Sequence, residues 1–350
     1  MRKNRINTPI MFRGKVGSPA LRGSLFVVLT AALLILAACG GGGSSTSAEA
    51  AGTGNSGSNA QEKSGESVPS ISAAPVRLDI GLMPAVDTAP MFHAQDAGYF
   101  DDEGIDVEFT LFTNAQDRQS ALQTGQIDGS MTDLVAVTVN AAGGFELYAT
   151  MLTDGMFPVL SRPGASEQER VKIGLMEVSV TNFLADNWLA SDYILEKTYI
   201  NAIPARLEAL ASGQLDMGVF PEPIASVGAS RGLDKLIFEP VDGFSPDVMV
   251  FTREAISAKE EAIFAFHRGY ARAVEDISSD PSLARDAIMK HIPNLPDDLG
   301  NSIDLPEYHQ PRLPDPAYLQ KVISWTENAV GRELEIEPSQ LTDGRFIQRK

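Results

Sequence analysis

Asp87, Asp133, Asp154, Glu177 and Glu222 fall in short segments at the junctions of predicted strands and helices, as do Asp117 and Asp247. Carboxylates in such places accept hydrogen bonds from amino groups or pair with a cation. The hydroxyls of Ser179 and Thr181 stand at the start of a predicted helix, and Phe112 and Phe220 offer flat apolar walls. The segments concerned are residues 83–90, 112–117, 130–134, 151–158, 176–182, 220–224 and 243–247, and they hold no Lys or Arg. Carboxylates and rings without bases fit a nitrogen-rich, neutral or cationic small molecule. An anion calls for guanidinium or ammonium groups instead. Plainer roles compete at several positions. Asp117 reads as a helix cap. Asp87 and Asp154 sit in Pro- or Gly-flanked loops where Asp serves turns. Glu177 complements a helix dipole. Glu222, between Pro221 and Pro223, is held more rigidly than the others.

Constellations for catalysis are scarce. His93, His267, His291 and His309 lack metal-ligand spacing such as H-E-x-x-H, and there is no phosphate-binding loop and no G-x-S-x-G turn. Asp101-Asp102-Glu103 reads as a solvated turn, since the loop of an EF-hand is missing. No catalytic residue, metal site or cofactor is expected.

The elements that must position these groups begin at Val76. A strand over Val76–Leu82 is followed by a helix opened by Thr88 and Pro90 and stopped at Gly98. A strand over 105–112 leads to a helix opened by Asn114 and Asp117 and stopped at Gly125. A strand at 127–131, a helix at 133–142 and a strand at 147–151 follow. This alternation predicts an α/β domain with a mainly parallel sheet. The segment Arg118-Gln119-Ser120-Ala121-Leu122-Gln123-Thr124-Gly125-Gln126-Ile127-Asp128 then recurs 88 residues later as Arg206-Leu207-Glu208-Ala209-Leu210-Ala211-Ser212-Gly213-Gln214-Leu215-Asp216. Two similar α/β units predict two lobes with a cleft between them. Asp128 and Asp216 lie at the far end of their helices and are read as turn acids. Beyond Ser257 the stripe Ile263, Phe266, Tyr270, Val274 and Ile277 predicts a packing helix.

The 350 residues are 43% hydrophobic and 21% charged, which suits one or two globular domains. With 28 basic and 46 acidic residues the chain carries −18, which argues against a nucleic-acid backbone as partner. Residues 1–38 hold six bases and no acid, and end in an apolar run at 25–36. That run is shorter than the roughly 20 residues of a membrane-spanning helix and predicts a secretory signal peptide. Leu36-Ala37-Ala38-Cys39 resembles the bacterial lipobox, which implies cleavage before Cys39 and acylation, palmitate included, of the sole cysteine. The Gly/Ser-rich stretch that follows predicts a flexible tether of about 30–35 Å. The expected division is signal peptide 1–38, lipidated Cys39 and tether 39–75, first lobe 76–160, second lobe 161–244, and return to the first lobe with C-terminal helices 245–350.

Ala89-Pro90-Met91-Phe92-His93-Ala94, Gly98-Tyr99-Phe100 and Glu103-Gly104-Ile105-Asp106-Val107-Glu108 carry a family resemblance, together with the repeated Arg-x-x-Ala-Leu element and Glu222-Pro223. Residues 76–345 resemble the nitrate/sulfonate/taurine/thiamine-precursor class of substrate-binding proteins of ABC importers. The resemblance implies a type II periplasmic-binding-protein fold: two α/β lobes joined by two crossover strands, with a helical C-terminal part. The candidate crossovers are 157–162 and 244–253. It further implies a monomeric, lipid-anchored, extracytoplasmic protein that captures a small solute between its lobes and hands it to an ABC permease. The acidic segments favour a nitrogen-containing solute such as a thiamine pyrimidine precursor. Nitrate, taurine or an aliphatic sulfonate is the alternative. A thiamine-pyrimidine-synthase-like enzyme or a ligand sensor is the alternative of another class, and the export segment and the cysteine-free mature domain weigh against the enzyme.

Overall fold

A computed structural model describes residues 74–348, which belong to one compact unit. The expectations for the signal peptide, Cys39 and nearly all of the tether lie outside the described residues.

Two five-stranded sheets form the frame. β1 (Val76–Leu82), β2 (Ile105–Leu111), β3 (Gly129–Asp133) and β4 (Leu147–Leu152) build the first. β5 (Val159–Ser161), β6 (Arg170–Leu175), β7 (Ile194–Tyr199), β8 (Met217–Val219) and β9 (Asp234–Leu236) build the second, and β10 (Asp247–Thr252) returns to the first. The orders are β2-β1-β3-β10-β4 and β7-β6-β8-β5-β9. Both follow one plan. Three parallel strands are joined by an antiparallel strand arriving from the other sheet, and a last strand closes the edge. The chain therefore crosses twice, at 153–158 between β4 and β5 and at 237–246 between β9 and β10. All six residues of β10 are buried, as a central strand covered on both faces must be.

The helices are α1 (Ala89–Asp96), α2 (Tyr99–Asp102), α3 (Ala115–Gln123), α4 (Leu134–Ala142), α5 (Val180–Trp188), α6 (Ile203–Ala211), α7 (Ile224–Ser230), α8 (Arg253–Ser279), α9 (Ser282–His291), α10 (Pro316–Val330) and α11 (Arg345–Gln348). One apolar core lies between the first sheet and α1, α8 and α9, and includes Leu78, Ile80, Phe251 and Phe266. A second joins α4 and α10 to the second sheet, where the Phe183 ring meets Tyr318 and Trp325 edge-on. Among the described residues no helix is long and apolar enough to cross a membrane.

Local chemistry sets several boundaries. The Asn114 side chain accepts from Asp117 N at 2.8 Å and opens α3. Thr88 does not act as the predicted cap. A short 3-10 turn (Val86–Thr88) precedes α1, and the Thr88 hydroxyl donates instead to Ala85 O at 2.6 Å. Asp128 and Asp216 act as turn acids. Each accepts from the backbone N–H of an adjacent strand at 2.8 Å, Asp79 in the first lobe and Lys172 in the second.

Candidate functional site

The C-terminal ends of the parallel strands of both sheets face one cleft, the usual ligand position in open α/β sheets. A cavity of about 90 Å³ lies there. From the first lobe it is lined by Asp87 after β1, Arg118 on α3, Asp133 at the end of β3 and Asp247 at the start of β10. From the second lobe come Ser179 and Thr181 at the opening of α5, Arg206 on α6 and Pro221 after β8. Phe157, on the first crossing, closes one side.

The repeated segments explain the two arginines. Each is the fourth residue of its helix, α3 or α6, and each runs across a strand glycine toward the cleft. A Cβ on Gly81 would stand 3.3 Å from Arg118 Cγ and 2.6 Å from Ile127 Cδ1. A Cβ on Gly174 would stand 3.0 Å from Arg206 Cγ and closer still to Leu215 Cδ1. Gly174→Ala should therefore cost about 1–3 kcal/mol through overpacking. Urea unfolding checks this, and an unchanged midpoint would show that Leu215 moves aside freely.

The first-lobe wall is acidic and buried. Arg118 Nη2 donates to Thr132 Oγ1 at 2.7 Å. Asp133 accepts from Ala136 N at 2.9 Å and caps α4. Asp87 Oδ2 accepts from Thr153 Oγ1 at 2.9 Å, while its Oδ1 finds no donor among the described residues. Burial pushes the Asp87 carboxyl up to about 6, against the Thr153 hydrogen bond that favours its charge. Burial, with Asp87 and Asp133 nearby, holds Asp247 well above the usual carboxylate range. Asp133 is raised as well, again chiefly by burial.

The second-lobe wall carries one unpaired charge. Arg206 is 0% exposed, its Nη1 donates to Ile200 O at 2.6 Å, and its guanidinium lies 5.2 Å from the Phe220 ring centroid. Its Nε and Nη2 find no acceptor among the described residues. Burial pushes it down to about 10.

The model of the NMT1-like family matches residues 72–289, well over half of the chain. The chain belongs to the NMT1-like family. Among curated proteins no relative matches the sequence. Solved structures share the fold at low identity. The ligand-binding component of an ABC-type import system from Staphylococcus aureus, solved with zinc bound, aligns with TM-score 0.66 and 16% identity, over 78% of this chain and 98% of the other. The periplasmic aliphatic sulphonate-binding protein of Escherichia coli gives 0.61 and 15%, over 78% and 100%. The periplasmic nitrate-binding protein of Synechocystis PCC 6803 gives 0.54 and 12%, over 62% and 66%. These findings bear out the class that the Ala89–Ala94 motif and its companions resemble, and the two-lobed periplasmic-binding-protein fold.

In this NMT1-like protein, four of the nine binding candidates meet at the cavity: Asp87, Asp133, Ser179 and Thr181. The other five lie elsewhere. Asp154 accepts from His309 N at 2.8 Å and pairs with the His309 ring, beside a second cavity of about 400 Å³ on the crossing segments. The Glu222 carboxylate is enclosed by Ser226 and Lys235. Glu177 is exposed, Phe112 packs partly buried against the second core, and Phe220 lies beneath Arg206. Among the described residues no group of three or more His, Cys, Asp or Glu is arranged to hold a metal ion.

The expectation of a cleft without bases is corrected by Arg118 and Arg206. That expectation rests on strand-end loops and helix openings, whereas these arginines stand one turn into their helices and reach the cleft through their length. Their shared position in the repeat was the available signal.

Proposed function

We propose that this protein is an extracytoplasmic solute-binding protein of an ABC importer. It holds a small nitrogen-containing solute between its lobes and delivers it to a membrane permease. The observation that carries this reading is a cavity walled by both lobes, with buried charged groups on each wall whose hydrogen-bonding capacity is not met among the described residues. Such groups favour a bound polar solute, because a buried donor or acceptor without a partner is costly. The structural neighbours, an import-system component and binding proteins for sulphonate and nitrate, support the class. A thiamine pyrimidine precursor supplies amino and ring nitrogens of the kind that Asp87 and Asp247 would bind. The lining groups offer charge and hydrogen bonds but no Ser–His or Cys–His pair, so binding without turnover is the expected activity. Lipidation at Cys39 would keep the protein at the outer face of the membrane that holds its permease.

The test is a thermal-shift panel on the full chain, covering aminopyrimidines, polyamines, amino acids, sulfonates and nitrate. A solute at 100 times its Kd should stabilise by about 2.7 kcal/mol. The same solute should shrink the radius of gyration in solution scattering as the lobes close. Turnover of a solute without stoichiometric binding, or binding with an unchanged scattering profile, would overturn the reading.

A further inference from the structure

Among the described residues, Arg206 Nε and Nη2 are left without an acceptor. These two N–H groups form one edge of the guanidinium, the edge that grips two oxygens of a carboxylate, sulfonate or phosphonate side by side. Nη1, on the other edge, is already spent on Ile200 O. Among the described residues no carboxylate is hydrogen-bonded to Arg206 or paired with it, and the ring of Phe220 backs its face. The opening of α5 lines the same cavity; its first turn presents the positive end of the helix dipole, and the Ser179 and Thr181 hydroxyls brace it by bonding to each other and to Met176 O and N.

The opposite wall has the reverse character. Asp87, Asp133 and Asp247 share a single base, Arg118, and Asp87 Oδ1 lacks a donor. A solute nitrogen bearing N–H groups would supply what that wall lacks. We infer that the cleft is built for an amphoteric solute: an acidic group seated on Arg206 and α5, and an amino or amidine-like end facing Asp87 and Asp247. This rests on the solute-binding reading and narrows it. The two poles belong to different lobes, so only a solute carrying both draws the lobes together. A plain amine leaves Arg206 unpaired. A plain anion leaves the three-carboxylate wall unmet. Discrimination then comes from what each wrong solute leaves buried without a partner.

The experiment is titration calorimetry on the full chain with matched probes: ω-amino carboxylates and ω-amino sulfonates of two to five carbons, beside the amine alone and the acid alone. At least one two-pole probe should bind 30-fold or more tightly than either one-pole counterpart. Arg206→Met should bring that probe down to the level of the amine alone, while raising the Tm of the ligand-free chain. Arg206→Lys keeps the charge but not the fork, and should still lose tenfold or more. A one-pole probe that binds as tightly as its two-pole partner, or an Arg206→Met chain with undiminished affinity, overturns the two-pole assignment and leaves the solute-binding reading standing. Failure of every solute in both this series and the wider panel overturns the two together.

Discussion

Lys235→Met should destabilise the folded domain by about 3–5 kcal/mol, the cost of leaving a buried charge without its partner. Glu222 is 0% exposed. Its carboxylate accepts from Ser226 N at 3.0 Å, Ser226 Oγ at 2.9 Å and Lys235 Nζ at 2.8 Å. The Lys235 side chain, 15% exposed, also donates to Ser302 O at 3.0 Å and pairs with Asp304. Methionine would fill the same volume but supply no positive charge. Urea unfolding should show a midpoint lowered by about 1 M or more at unchanged slope. The double variant Glu222→Gln/Lys235→Met should recover most of the loss, because removing both partners leaves no stranded charge. An unchanged midpoint for Lys235→Met alone would mean that the Ser226 N–H and hydroxyl, not the ammonium, hold the Glu222 carboxylate. The contact also bears on closure. Glu222 O accepts from Val86 N of the first lobe at 3.1 Å, and Ser302 and Asp304 follow α9, which packs on the first sheet's core. This network therefore joins the lobes without touching the cavity.

A pH series gives the second large effect, with two opposing signs. The folded Asp87 carboxyl is raised to about 6, so the native state holds a proton that the unfolded chain has released. Its contribution favours folding at low pH and is lost as pH rises from about 4 to about 6. Thr153 and Arg118 face it and favour its charge, while Asp154 and burial oppose it. His267 has the opposite sign. Burial lowers it to about 4, so the unfolded chain takes a proton that the native state refuses. Its contribution is complete above about 6.5 and is lost as pH falls toward 4. Each shift corresponds to about 3 kcal/mol at most. Asp87→Asn should therefore gain on the parent chain by up to about 3 kcal/mol between pH 4 and pH 7. His267→Phe should gain on it in the other direction, as pH falls. Denaturant midpoints across that range check both, and parallel profiles for variant and parent would rule the shifts out. Asp247, raised for the same reasons as Asp87, adds to the first slope.

Much of the framework was legible because its signals are local. The alternation of Val76–Leu82 sets β1 at the expected residues, Asn114 caps α3, and the glycine stops fall at positive φ, as at Gly98 and Gly125. The stripe from Ile263 to Ile277 identified the long part of α8, which follows a kink at Lys259, and only the short turn before the kink, opened by Thr252 accepting from Ala255 N, went unsignalled. The repeat announced two lobes because each copy spans the end of a helix and the turn into a parallel strand, the same joint of an α/β unit in each sheet.

Sequence alone thus determined the alternating elements, the pairing of two similar lobes and the family. All of these follow from periodicity, caps and a motif read along the chain. Only the tertiary structure decided which side chains share the cleft. Arg118 and Arg206 reach it because Gly81 and Gly174, far away in sequence, leave a path across the strands. Glu222 and Asp154 turn away because Lys235 and His309 meet them first. Burial of a charge and the absence of a partner are properties of packing between distant segments, and a one-dimensional pattern does not carry them.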